Sequence, residues 1–269
     1  MKFSILRIPV RVQPLCVAIA LFIAPPTASI FGGRWPQILA WVGVVFCSVL
    51  GHELGHALVA RRFGAEVDIT LHGLGGYTRW HAAKDIGPWR RVMVAAAGSL
   101  TGFALAGVLW LVLRSDVLPT TWRLLDFAIG WFITVNILWG VLNWLPIRPL
   151  DGGHMLLGVL QAFFGERGVT IANVIFPVAT VAGGLLAWSQ GFIIAALFAL
   201  FLLFGEFRAW NERSVAARGL PVEEGPFTLF GHEEAPHADR SAPVDAGGAE
   251  RGDEDLVDPP DEGAPPAVG

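Results

Sequence analysis

Between Pro36 and Ala60 the chain is apolar for long enough to cross a bilayer as one helix, yet the end of that run, in LGHELGHALVARR at 50–62, carries His52, Glu53 and His56. A transmembrane helix needs about 20 mainly apolar residues. Ionisable groups are tolerated inside it only where they face a partner or a wet cavity. Any fold for this chain must therefore surround one face of the helix with other elements and leave that face a polar task.

Six runs have the required length and character, at about 14–32, 36–60, 92–113, 124–145, 168–187 and 190–206. With 54% hydrophobic and 16% charged residues and a mean hydropathy of +0.55, the composition lies outside the range of soluble domains. The expectation is an all-α polytopic protein of about six spans, with the lipid bilayer as its partner. The first run is ambiguous. Lys2, Arg7 and Arg11 precede it and APPTAS follows, which also describes a cleaved signal peptide; a retained helix is the expectation, and either reading puts residue 33 outside. Cys16 and Cys47 lie in separate apolar runs and suggest neither a disulfide nor a thiolate site.

Charge sets the orientation. If the N-terminus is cytoplasmic, fourteen of the seventeen Lys and Arg before residue 219 fall inside, and only Arg34, Arg114 and Arg123 fall outside. That asymmetry satisfies the positive-inside rule and makes both termini cytoplasmic, in a multi-pass protein of the cell membrane. Residues 219–269 hold thirteen of the 23 acids and two of the 19 bases, among many Pro and Gly. They read as a disordered acidic tail following a membrane domain at 1–218. Nucleic acid is not an expected partner, and nothing indicates an oligomeric state.

His52 and His56 are four residues apart, so they share one face of a helix and can converge on one ion. Glu53 is displaced around the helix, where it can take a proton from an activated water without itself being a ligand. His52 lies about 13 Å short of Arg61 along the axis, inside the bilayer and nearer the cytoplasm. The extended pattern HExxHxxGxxH fails, because Val59 and Arg62 stand at its last two positions. A third ligand must come from elsewhere. Asp85 and Glu166 fall in predicted loops, Asp116 falls outside, and Asp126 begins a helix at the outer surface. Asp151 follows the 124–145 span at its cytoplasmic end, within NWLPIRPLDGGHMLL. Pro146 and Pro149 interrupt the helix there, Gly152 and Gly153 let the backbone turn, and the segment reads as a ligand loop lining a cavity.

With LGHELGHALVARRFG and NWLPIRPLDGGH together, the chain resembles the site-2 protease family of intramembrane zinc metalloproteases over most of residues 6–215. The resemblance implies one Zn2+ held by His52, His56 and Asp151, with Glu53 as the base. Asn143 matches the family's asparagine before the LDG turn, to which a role in steadying the oxyanion is ascribed. Residues 64–80, GAEVDITLHGLGGYTRW, alternate in character and look like the family's membrane-associated β-hairpin on the cytoplasmic side. Such a hairpin offers an edge for an unwound substrate. The implied activity is a metalloendopeptidase cutting in or near transmembrane segments of other membrane proteins, as in regulated intramembrane proteolysis. Two positions depart from the pattern. Ser99 and Gly102 replace a proline and an asparagine on the third span, and Arg148 enters an otherwise apolar turn, where it is expected to snorkel. His154 reads as outside the ligand set and His72 as a turn residue. Two alternatives stand: a non-catalytic zinc-binding regulator of the same fold, and an HtpX-like or CAAX-processing protease using a downstream glutamate on another helix, a part for which Glu166 and Glu206 are poorly placed.

Overall fold

The computed structural model describes residues 1–28, 34–73, 75–82, 86–115 and 123–217. Lys84, Asp85, Asp116 and the acidic region from 219 lie outside the described residues. The order is β1 (Lys2–Ile5), β2 (Ile8–Val12), α1 (Pro14–Phe22), α2 (Trp35–Arg62), β3 (Ala65–His72), β4 (Gly75–Ala82), α3 (Pro88–Arg114), α4 (Arg123–Asn143), α5 (Asp151–Phe164), α6 (Glu166–Ser189) and α7 (Ile193–Ala217). Among the described residues α2, α3, α4 and α6 are long and apolar enough to cross a membrane. α2 has 28 residues and extends about 42 Å, well beyond the roughly 30 Å of hydrocarbon. Pro36 occupies its first turn, where a missing N–H costs nothing.

The expected first span is shorter than its apolar run. α1 covers nine residues, because Pro25 and Pro26 cannot continue a helix and a 3-10 turn takes over at Pro26–Ala28. The segment after Asn143 also differs from expectation. Asp151 opens a 14-residue helix instead of standing in a loop, and Gly165, at φ +56, separates α5 from α6. Arg148 does not snorkel away from the fold. Its guanidinium lies 4.8 Å from the Phe176 ring centre and donates to Asn173 Oδ1 at 3.3 Å, tying the α4–α5 turn to α6.

The 64–80 hairpin is present as β3 and β4, but it is half of a larger sheet. The strands run in the order β1-β2-β3-β4, with β2 parallel to β3 through Val10 opposite Ile69 and the two hairpins antiparallel. The basic N-terminus is therefore part of the folded structure. Its two-residue turn, Leu6-Arg7, takes φ values of +50 and +63, the left-handed geometry that tight hairpins require. Arg61 of α2 donates to the Leu6 carbonyl at 2.6 Å. Ile8, Val10, Ile69 and Leu71 point from the sheet onto Val49 and Ala57 of α2 and make the main apolar core.

Elsewhere the packing is inverted relative to a soluble protein. Ser48, His52, Glu53, His56, Ser99, Asn136 and Thr180 are buried, while Leu185, Leu186, Trp188 and Phe204 are exposed. Polar groups inside and large apolar groups outside suit a protein whose solvent is lipid.

Candidate metal centre

Three ligand atoms meet where α2, α3 and the start of α5 converge. His52 Nε2 lies 3.1 Å from His56 Nε2 and 3.1 Å from Asp151 Oδ2; His56 Nε2 lies 3.3 Å from Asp151 Oδ1. The sequence accounts for each position. Helical periodicity stacks the two imidazoles, whose rings are 4.7 Å apart and nearly perpendicular. Asp151 sits in the first turn of α5, where the helix dipole favours a carboxylate. Gly152 brings that turn close, because a Cβ there would overlap the Trp144 and Leu145 carbonyls.

His56 Nδ1 is 2.7 Å from the Val94 carbonyl. A carbonyl only accepts, so Nδ1 carries the proton and the Nε2 lone pair faces the centre of the cluster. A lone pair and a carboxylate crowded onto His52 Nε2 call for a cation between them. With bonds of about 2.0–2.1 Å, ligands at the corners of a tetrahedron stand about 3.3 Å apart. The 3.1 Å between the two imidazole nitrogens and the 3.1 Å from His52 Nε2 to Asp151 Oδ2 are close to that edge, His56 Nε2 approaches the other carboxylate oxygen at 3.3 Å, and two imidazoles with one carboxylate are a donor set that zinc accepts. The cluster fits the ion.

α3 supplies the wall of the site. A Cβ at Gly98 would overlap His56 Nε2 and lie 2.8 Å from His52 Nε2, so only glycine allows this approach. Ser99 is fully buried and donates to Asp151 Oδ2 at 3.4 Å. Its departure from the family pattern thus places a hydroxyl against the Asp151 carboxylate. Gly102, the other departure, faces Asn136 of α4, whose Oδ1 would lie 3.1 Å from a Cβ there. Asn136 Nδ2 in turn donates to Ser48 Oγ at 2.9 Å, one helical turn before His52.

Glu53 is 5% exposed and stands outside the three-ligand group. Thr78 of β4 donates to its Oε2 at 2.8 Å. Asn143 ends α4, with its amide nitrogen donating to the Trp139 carbonyl at 3.0 Å, so one amide hydrogen is left for another acceptor. His154 is exposed on the first turn of α5 and is not in the group. His72 lies on the far face of β3 with its ring centre 5.5 Å from that of Tyr77, and burial pushes its pKa down. Glu166 begins α6. Glu206 accepts from Thr180 at 3.2 Å between α6 and α7; neither glutamate joins the histidines.

Sequence reasoning missed Thr78, Gly98, Asn136 and the Val94 carbonyl. Ser48 was within reach of periodicity, being four residues before His52. The others depend on how α3, α4 and β4 pack.

Residues 40–120 and 119–186 match peptidase family M50. Rip3 of Mycobacterium tuberculosis, named as a zinc metalloprotease, is 31% identical over 196 residues, covering 67% of this chain and 49% of the relative. Zinc metalloprotease MJ0392 of Methanocaldococcus jannaschii is 28% identical over 211 residues, covering 76% of this chain and 58% of that one. The chain thus spans about half the length of the curated relatives it matches. Among solved structures, the site-2 protease from Methanocaldococcus jannaschii superposes with a TM-score of 0.53 at 26% identity, covering 77% of this chain and 94% of that one.

Proposed function

The chain belongs to peptidase family M50, the site-2 proteases, and from that membership we propose that it is an intramembrane endopeptidase with one zinc ion held by His52, His56 and Asp151. The observation that carries the reading is the convergence of two imidazole nitrogens and the Asp151 carboxylate, with contacts of 3.1 to 3.3 Å, against the buried face of an apolar helix, with Glu53 next to His52 in the chain. A zinc ion held there would supply a Lewis acid for the peptide carbonyl and would lower the pKa of a water to about 7.

Glu53 accepts the proton from the attacking water and returns it to the leaving amine. Its burial beside β4 keeps the carboxylate away from bulk water and the proton on that path. Asn143 offers its second amide hydrogen to the developing oxyanion. β4 is the last strand in the sheet order, so an unwound segment of a membrane-embedded substrate can add to its free edge through backbone pairing.

In this reading residues 1–218 form the protease domain. α1 with its following turn, and α7, complete six membrane segments, both termini are cytoplasmic in the cell membrane, and residues 219–269 form an acidic appendage. The test compares Glu53→Gln with the wild-type full chain, measuring zinc content and cleavage of a reconstituted single-span protein. Retained zinc with a loss of about 10²- to 10⁴-fold in kcat is expected. Cleavage at the wild-type rate would remove Glu53 from the chemistry and the proposal with it.

A further inference from the structure

β4 is joined to the site by more than proximity. Thr78 Oγ1 lies 2.8 Å from Glu53 Oε2 and 3.1 Å from the Glu53 carbonyl oxygen. Two residues earlier on the same face of the strand, Gly76 closes on the other side of the carboxylate. A Cβ at 76 would lie 2.6 Å from Glu53 Cγ and 2.8 Å from Oε1. One oxygen is thus held by a hydroxyl and the other is walled by backbone, both from one strand.

That strand is itself fixed. Thr78 stands opposite Ile69 and Gly76 opposite Leu71, two fully buried residues packed on α2. On the α4 side, a Cβ at Gly75 would lie 3.1 Å from the Trp139 ring. The start of β4 is therefore wedged between the base on α2 and an aromatic ring on α4, while its outer edge ends the sheet.

We propose that Thr78 is a positioning residue for Glu53: its hydroxyl orients the carboxylate from the same strand whose free edge receives substrate, so base and scissile peptide share one scaffold. The role rests on Glu53 acting as the base. Threonine suits it, because β-branching restricts χ1 and delivers the hydroxyl with little rotational freedom. Valine keeps that shape without the donor, and serine keeps the donor with a looser rotamer.

The test is hydrogen exchange of the 75–82 amides in the full chain in nanodiscs, for wild type, Thr78→Val, Thr78→Ser, Glu53→Met and the Thr78→Val/Glu53→Met pair. If the bond ties β4 to α2, Thr78→Val speeds exchange about ten-fold, Glu53→Met speeds it less because the residue 53 carbonyl remains an acceptor, the pair exchanges no faster than Thr78→Val alone, and Thr78→Ser stays within about two-fold of wild type. Unchanged exchange in Thr78→Val, or a pair whose factor is the product of the two single factors, overturns the link. A second readout uses a synthetic single-span peptide. Thr78→Val should lower kcat about ten-fold at unchanged KM and zinc content, with recovery in Thr78→Ser; wild-type kcat in Thr78→Val overturns the positioning role. The exchange cycle does not depend on catalysis, so full cleavage by Glu53→Gln would defeat the functional reading while leaving the coupling result intact.

Discussion

Two glutamates among the described residues, Glu206 and Glu53, each accept from a threonine on a neighbouring element, and only the second stands beside a candidate metal cluster. Between α6 and α7, Glu206 accepts from Thr180 at 3.2 Å. Around α2, Glu53 accepts from Thr78 at 2.8 Å, and beside it two imidazoles and Asp151 converge. An acid among apolar helices is thus not enough to define chemistry. What separates the pairs is the close approach of a third element: Gly98 brings α3 onto both histidines, and Gly152 lets the α4–α5 turn deliver Asp151.

The comparison breaks most severely at Asp151. Asp151→Ala should strip zinc from the purified protein and abolish cleavage, a larger effect than the roughly 10- to 100-fold cost of losing an outer partner of a ligand. Metal analysis reads it directly, and full zinc occupancy in that variant would remove Asp151 from the centre. Gly98→Ala comes next. Its methyl group overlaps His56 Nε2, so zinc affinity should fall by at least about ten-fold, measured by competition with a chelator.

The α6–α7 pair should respond far less. Thr180→Val removes a donor to Glu206 and should cost about 0.6 to 1.7 kcal/mol of stability in detergent, with cleavage within about two-fold of wild type. Loss of zinc in that variant would contradict the separation of the two pairs. The smallest effect belongs to the N-terminal turn. Replacing Leu6-Arg7 by Asn-Gly relieves two left-handed residues and should raise thermal stability by about 1 kcal/mol or less, without changing zinc content.

The legible parts of this protein are those in which local spacing carries the information. His52 and His56 at four residues, Asp151 after a Pro-broken span and the alternation of Val67, Ile69 and Leu71 are each visible in the sequence, and the structure brings the first three together and the last into a strand. β1 and β2 were legible in principle, since Phe3, Ile5, Ile8, Val10 and Val12 alternate. Their turn lacks Gly or Asn, however, and basic residues before an apolar run read as a topology signal. α5 was hidden by the prolines just before it, by its own glycines and by being too short to span. Thr78 could not be read at all, because its meeting with Glu53 depends on the register of β4 against β3 and on how the sheet lies on α2.

The most direct measurement is terminal proteomics of membrane-protein fragments in cells carrying wild type or Glu53→Gln at equal abundance. The account predicts at least one membrane-anchored stub that accumulates only with the variant, cut in wild-type cells within or next to its transmembrane segment. Identical fragment profiles, with zinc bound in both proteins, would contradict intramembrane proteolysis and leave the metal centre with a non-catalytic role.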